Sequence, residues 1–534
     1  MAASEAALIQ AGVQAGLIDQ RQIAQLQVQA KRARKPVLDY ITRAGRFPTM
    51  ALYQALASIK QLPFVQRRDL DIDLDLVRKF PQTTLERKHF FPAHYQGKLV
   101  MVLANPDDRS PLELAKRVLN QPSDRVVADA GLIAGIIERA YSQQSNEDVD
   151  AIGFFDDLMK ECYLRHVTDM HFEPEEMGMK VRLRVDGKMT EYERPISLAL
   201  REPLISRIKV LASLDIAEAN MAQDGGFSYA VSDWQLDEVD MRVATIPTRW
   251  GERITIRILG QDTADLSLAQ LGMPDNVLTG FRAAINKPYG IILVTGPTGS
   301  GKSTTLYAAL RELDSDDLNI LTVEDPIEQV IDNIGQVQVS EKVSFAKALR
   351  SFLRHDPDVM LVGEVRDQET ADTALKAAMT GHLVLSTLHT NDAVGAINRL
   401  VDIGCPRYLV ASTLIGVVAQ RLVRRLCASC KTPYQASEKE LRRLGLDGNA
   451  EQTLYKANGC AQCLSSGYRG RVGLYETLWL DDELEHLIAS GAGEDELVAN
   501  AGQYYRLWQD AKHKVVMGLT SFDEVRHLYQ QAPG

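Results

Sequence analysis

Residues 296–304 read GPTGSGKST, a glycine-rich run closing on a lysine and two hydroxyls. It satisfies G-x-x-x-x-G-K-[ST] through Gly296, Gly301, Lys302 and Ser303. An apolar strand-length stretch precedes it and the helix-forming TLYAALREL follows, the context in which such a loop binds nucleotide phosphates. Glycines let successive backbone N–H groups curl round an anion, and the following helix adds the positive end of its dipole. Lys302 would reach the β and γ phosphates of ATP, and the Ser303 hydroxyl would ligate Mg²⁺. Pro297, Thr298, Gly299, Ser300 and Thr304 complete the cradle.

Acidic groups follow where two later strands should end. VMLVGE at 359–364 is an apolar strand that delivers Glu364 beside the phosphates, to hold the Mg²⁺ shell or orient the attacking water. TVEDPIE at 322–328 offers Glu324 and Asp325 in the same way, although Asp-Pro is also an ordinary turn opener. TGHLVLSTLHTND sets His382 and His389 on either side of a strand, and His389, just past its end, is placed to sense a γ-phosphate.

A different chemistry sits further on. Cys427, Cys430, Cys460 and Cys463 give C-x₂-C-x₂₉-C-x₂-C. Two such knuckles can complete a tetrahedral Zn²⁺ site, while a redox dithiol is the competing reading and would need only one pair. Cys162 and Cys405 stand alone and read as small core residues.

These groups need several folded bodies to carry them. At 534 residues the chain exceeds one core. Residues 1–60 read helical, and 61–141 read as a small α/β unit with a strand in KLVMVLANPDD and a helix in LIAGIIERAY. The polar stretch 142–150 reads as a linker. From 151 to 264, alternation in MKVRLRVDGKMTEY, EVDMRVATIP and ERITIRIL indicates an antiparallel sheet with one wet face. From 265 to 534, apolar strands alternate with longer helices, the pattern of a parallel-sheet domain. The fold class expected is therefore multidomain α/β.

Net charge is −11, which counts against nucleic acid as a partner. The basic runs KRARK at 31–35 and RLVRR at 421–425 read as solvated faces. No apolar run approaches the roughly 20 residues of a membrane span, and the N-terminus lacks the charged and apolar regions of an export signal.

With these segments in order, the chain resembles the secretion ATPases that power type II secretion and type IV pilus assembly. The phosphate loop, TVEDPIE, HDPDVMLVGEVRD and TGHLVLSTLHTNDA follow the family's order. TDMHFEP, VRLRVDG and RWGERITIRIL resemble its preceding domain, and VVAQRLVRRLCASC is also typical.

The resemblance implies a RecA-like core after a PAS-like α+β domain, with ATP and Mg²⁺ between them. Arg242, Arg350 and Arg354 then fall at positions that neutralise phosphate charge. It assigns the four cysteines to structural Zn²⁺ in a subdomain at 425–470. It also implies a homo-hexamer on the cytoplasmic face of the inner membrane, driving a polytopic platform protein, with the N-terminal region docking a membrane-anchored assembly protein.

Two departures stand out. Gly226 occupies a position where the family usually has arginine, with Ala219 and Asn220 at neighbouring basic positions. RARKPVLDYITRAGRF lacks the Arg-Leu-Gly of relatives that bind cyclic di-GMP, which argues against that ligand. Four readings remain: an assembly motor; a retraction motor, which typically lacks the cysteine module; a DNA translocase, disfavoured by the charge; and a nucleotide-regulated scaffold with little turnover because of Gly226.

Overall fold

The computed structural model describes the chain except residues 1–2, 34–35, 46, 120–121, 142–150, 195, 231–237, 260–265, 314–316, 448–450, 503 and 531–534. The expected linker and the 264/265 boundary lie outside the described residues. The chain divides into two compact units: Met1–Asp262 with Asn458–Gly467, and Thr263–Ala457 with Tyr468–Gly534.

The first unit opens with four helices, Glu5–Gln14, Gln20–Ala33, Val37–Gly45 and Thr49–Ile59. A four-stranded sheet follows, ordered Leu70–Asp71, Phe90–Tyr95, Lys98–Leu103 and Asp124–Val127, with the helix Ala130–Tyr141 after it. The strand and helix read from KLVMVLANPDD and LIAGIIERAY both form. Leu8, Ile41, Leu52, Phe80, Phe90, Met101 and Ile133 belong to one buried cluster, so helices and sheet share a core.

The same unit then forms a six-stranded, wholly antiparallel sheet. Its order is Lys188–Glu191, Gly178–Val185, Val167–Glu175, Gly251–Ile258, Val239–Thr248 and Gln223–Tyr229. Successive residues point to opposite faces. One face, with Met170, Phe172, Val181, Leu183, Met241, Val243, Ile254 and Ile256, packs with Phe155, Leu158, Leu204 and Ile208 of the helices Ala151–Arg165 and Leu198–Leu211. The interleaved residues form the wet face that the alternation predicts.

The second unit is built on an eight-stranded sheet. Its order is Gly335–Gln338, Ile320–Glu324, Val359–Val362, Leu383–Leu388, Gly290–Thr295, Leu414–Leu426, Tyr468–Trp479 and Tyr504–Tyr505. The first six strands run parallel and the last two pair antiparallel. The strands read from GIILVTG, NILTVED, VMLVGEV and HLVLSTL are four of these. They read as continuous apolar runs because both faces are covered. Ile291, Leu293, Met360, Val362 and Val384 enter one core, and Ile292, Val294, Val359, Leu361 and Leu385 enter another.

Arg424 of the run RLVRR is not on a solvated face, while Arg425 is exposed. The run lies in the strand Leu414–Leu426, where Arg424 forks onto Glu524 through Nε (3.1 Å) and Nη2 (2.6 Å). The same guanidinium lies 3.8 Å from the centre of the Tyr468 ring. A long strand beside a partner carboxylate and a ring gives the arginine a defined seat that local charge counting cannot foresee.

Candidate functional site

The phosphate loop leaves the sheet at the end of Gly290–Thr295 and enters the helix Lys302–Glu312. Gly296, Gly299 and Gly301 hold φ of 148°, 76° and 88°, values that L side chains rarely adopt. At Gly296 the need is also steric, since a Cβ there would lie 2.3 Å from the main-chain oxygen of Gln420. Ser300 is buried, and its Oγ has no hydrogen-bond partner among the described residues. Pro297, Thr298 and Gly299 are exposed, and Ser303 and Thr304 are half-buried in the first turn of the helix. An exposed crest at 297–299, positive-φ glycines, an orphaned hydroxyl and a helix N-terminus suit a phosphate chain with its cation.

Lys302 Nζ donates to the carbonyl of Gly296 (2.9 Å) and more weakly to that of Pro297 (3.4 Å). Burial lowers its pKa, against the opposing pull of Glu364 and Glu328. The loop is tied sideways as well. Thr295 Oγ1 accepts from the Thr390 N–H (2.9 Å), which joins the loop's strand to the segment after Leu383–Leu388.

Glu364 follows the strand Val359–Val362, and pairing continues beyond the regular strand to place it. Gly363 N–H donates to Val323 O (2.8 Å), Val365 N–H donates to Thr387 O (3.0 Å), and Thr387 Oγ1 donates to Gly363 O (2.7 Å). The Glu364 carboxylate meets Arg366 at Oε1 and His389 Nε2 at Oε2 (3.2 Å), while His389 itself stays half-exposed. His382 does something different. Its Nδ1 lies 3.0 Å from Ala377 O, at the end of the helix Gln368–Met379.

Glu324, at the end of Ile320–Glu324, is buried and committed to neighbours. Tyr307 donates to its Oε2, while Thr322 Oγ1 (2.6 Å) and Gln336 Nε2 (3.1 Å) donate to Oε1. Asp325 is exposed next to it, in a cis Asp325–Pro326 peptide. Glu364 is buried as well, with both oxygens engaged. Its partners Arg366 and His389 are exposed side chains that a ligand can reach, whereas the partners of Glu324 are interior donors.

The arginines are distributed unevenly. Arg350, in the helix Phe345–Phe352, pairs with Glu369 at 2.5 Å, and Arg354 is exposed just beyond the same helix. Among the described residues, neither bonds to the phosphate loop, Glu324 or Glu364. Arg242 belongs to the first unit, on the wet face of the antiparallel sheet, in a row with Gly226, Arg257, Asp169 and Arg184. Asp169 holds Arg257 at 2.9 Å and Arg184 at 3.4 Å. Gly226 thus lies directly across from Arg242. A Cβ there would fall 2.8 Å from Met241 O, so this strand has no room for a side chain without shifting its backbone.

The four cysteine sulfurs of Cys427, Cys430, Cys460 and Cys463 all lie within 4.8 Å of one another. Cys460 and Cys463 stand 3.7 Å apart, close to the edge of about 3.8 Å that a tetrahedron of Zn–S bonds near 2.3 Å requires. Cys463 Sγ also accepts the N–H groups of Cys460 and Gly467, each at 3.2 Å, which favours a thiolate. The donor set fits zinc. The long connection between the pairs is itself folded, with strands Thr432–Gln435 and Thr453–Lys456 paired and the helix Glu438–Arg443 between them.

Sequence reasoning missed Tyr307, Thr387 and Gln420. Tyr307 falls five residues after Lys302 and could have been singled out as a polar-tipped aromatic on the loop's own helix. The other two had no local signal.

Known proteins resemble this chain over most of its length. Residues 144–527 match the family described as Type II/IV secretion system protein, and residues 61–147 match the MshEN domain. Type II secretion system protein E of Pseudomonas aeruginosa is 46% identical over 407 residues, covering 75% of this chain and 80% of that protein. The type IV pilus assembly ATPase PilB of Myxococcus xanthus is 35% identical over 551 residues, covering 96% and 97%. Among solved structures, the pilus retraction motor PilT with bound ADP superposes with a TM-score of 0.50 at 28% identity, over 71% of this chain and 97% of its own. The chain belongs to the type II/IV secretion system protein family.

Proposed function

We propose that this chain is an ATP-hydrolysing motor that powers assembly of a type IV pilus or type II secretion pseudopilus. The observation that carries it is the phosphate loop and Glu364 on one sheet, two strands apart, in a chain whose relatives are named ATPases. The assembly PilB relative aligns over 96% of this chain, N-terminal region included. That extent and the cysteine cluster support assembly over retraction.

In this reading the loop's N–H groups and Lys302 hold the phosphates, and Ser303 offers its hydroxyl to Mg²⁺. The bound cation supplies charge neutralisation across the phosphates. Glu364 orients the attacking water and His389 reports the γ-phosphate end. Glu324, with Asp325 beside it, gives the rear of the site its fixed negative charge. Arg242, Arg350 and Arg354 serve phosphate charge that develops in the transition state, while Cys427, Cys430, Cys460 and Cys463 hold a structural Zn²⁺.

The working form is a homo-hexamer at the cytoplasmic face of the inner membrane, held there by a platform protein and a membrane-anchored assembly protein. Among the described residues no helix is long and apolar enough to cross a membrane. Nucleic acid is not part of the reading. Cyclic di-GMP returns to it: the MshEN match at 61–147 outweighs the missing Arg-Leu-Gly as a guide to that ligand.

Steady-state phosphate release by the wild-type chain, alone and with membranes from its source, tests the motor. Turnover that Lys302→Ala abolishes is expected, and a wild type that binds ATP without turnover would mean a scaffold instead. Metal analysis should return about one zinc per chain, and titration calorimetry with cyclic di-GMP decides the N-terminal ligand.

A further inference from the structure

Gln420 lies in the strand Leu414–Leu426, next to the strand that launches the phosphate loop. The register pairs Thr295 with Ala419, so Gln420 comes level with Gly296, the first residue of the loop. It is 3% exposed. Two points of the loop and one of the following helix converge on it. Its main-chain oxygen closes off the space at Gly296, 2.3 Å from where a Cβ would fall. Its Nε2 donates to the main-chain oxygen of Ser300 at 2.8 Å. Its Oε1 accepts from Thr305 Oγ1 at 2.9 Å, in the first turns of the helix that follows.

A carboxamide is well suited to this, since it carries a donor and an acceptor on one rigid plane. The bond to Ser300 has a directional consequence. A trans peptide holds its C=O and the next N–H in one plane, pointing in opposite directions. Anchoring the Ser300 carbonyl on Gln420 therefore turns the Gly301 N–H away from Gln420. The Thr305 bond fixes the helix that the loop enters, and with it Lys302 three residues earlier.

We propose that Gln420 is a positioning residue for nucleotide: without touching the ligand, it holds the phosphate loop in the curl that presents its N–H groups. The inference rests on reading the loop as the ATP site. It separates Gln420 from an ordinary buried polar residue, because it ties the side chain to nucleotide affinity rather than to folding alone.

The test measures binding of a fluorescent ATP analogue, KM and kcat for ATP, and thermal midpoint in wild type, Gln420→Leu, Thr305→Val and the double variant. Gln420→Leu should weaken binding and raise KM about tenfold, with kcat within about threefold of wild type, as two lost buried hydrogen bonds would do. Thr305→Val should cost about threefold, and adding it to Gln420→Leu should cost little more, because they share one bond. If Gln420→Leu does not fold, Gln420→Met replaces it. A folded variant with unchanged affinity and KM overturns the inference while leaving the ATP site intact. Failure of the wild type itself to bind the analogue defeats the reading beneath it.

Discussion

The two large sheets of this chain solve the same burial problem in opposite ways, and their chemistry follows. The six-stranded antiparallel sheet of the first unit is dry on one face only. Its functional candidate, Arg242, stands on the open face, with Gly226 and Arg257 as its cross-strand neighbours. The parallel part of the eight-stranded sheet is dry on both faces, so no reactive side chain can stand in mid-strand without burial. Its charged candidates gather where strands end: Lys302 in the loop after Thr295, Glu324, Glu364 and His389. An open face tolerates charge along its whole length, whereas a covered sheet confines charge to its rim.

That contrast can be broken at the rim first. Glu364→Gln should lower turnover by about 10²-fold or more while leaving nucleotide affinity within a few fold, since it removes a water-orienting carboxylate and not a phosphate contact. Turnover within tenfold of wild type, read by phosphate release, would take Glu364 out of the chemistry. Arg242→Ala probes the open face. A loss on the order of 10-fold to 10²-fold in kcat is expected if its charge serves the transition state. An unchanged kcat would leave it as one member of a solvated ionic row.

Two smaller effects sharpen the picture of the first unit. Burial pushes the carboxyl of Glu193 up to about 7, offset in part by the Arg67 N–H it accepts at 2.7 Å. Its folded pKa thus lies above the free value of 4.5. The native state then holds the extra proton between pH of about 4.5 and about 7, and stability falls as pH rises through that window. Glu193→Gln, which keeps an acceptor for Arg67, should gain on wild type by on the order of 2–3 kcal/mol between pH 5 and pH 8. Equal denaturation midpoints at both pH values would refute the shift. Least is expected of Gly226→Ala, about 1 kcal/mol of destabilisation from the close approach to Met241 O. A stabilised variant would show that the edge strand can give way, and would make Gly226→Arg a fair test of the missing arginine.

Much of this molecule is written locally. Apolar runs of strand length at 290–295, 320–324, 359–362 and 383–388 are each followed by their polar residue, so strand and site were readable together. The spacing of the cysteines was readable too, because a two-residue gap is a property of the chain alone. Gln420 was not readable. Its partners Ser300 and Thr305 lie 120 and 115 residues away, and a glutamine between VVA and RLVRR carries no periodic or motif signal. Arg424 misled for the same reason, since its partner Glu524 is 100 residues distant.

The sequence by itself determined which residue types stand at which strand ends, because strand period, glycine conformation and motif spacing act over a few residues. Only the tertiary structure decided whether each of two similar buried carboxylates meets interior donors or exposed side chains. Glu324 and Glu364 each close an apolar strand, yet one meets Tyr307, Thr322 and Gln336 and the other meets His389 and Arg366. Such bonds depend on strand order and register, and strand order is set by packing both faces of the sheet at once.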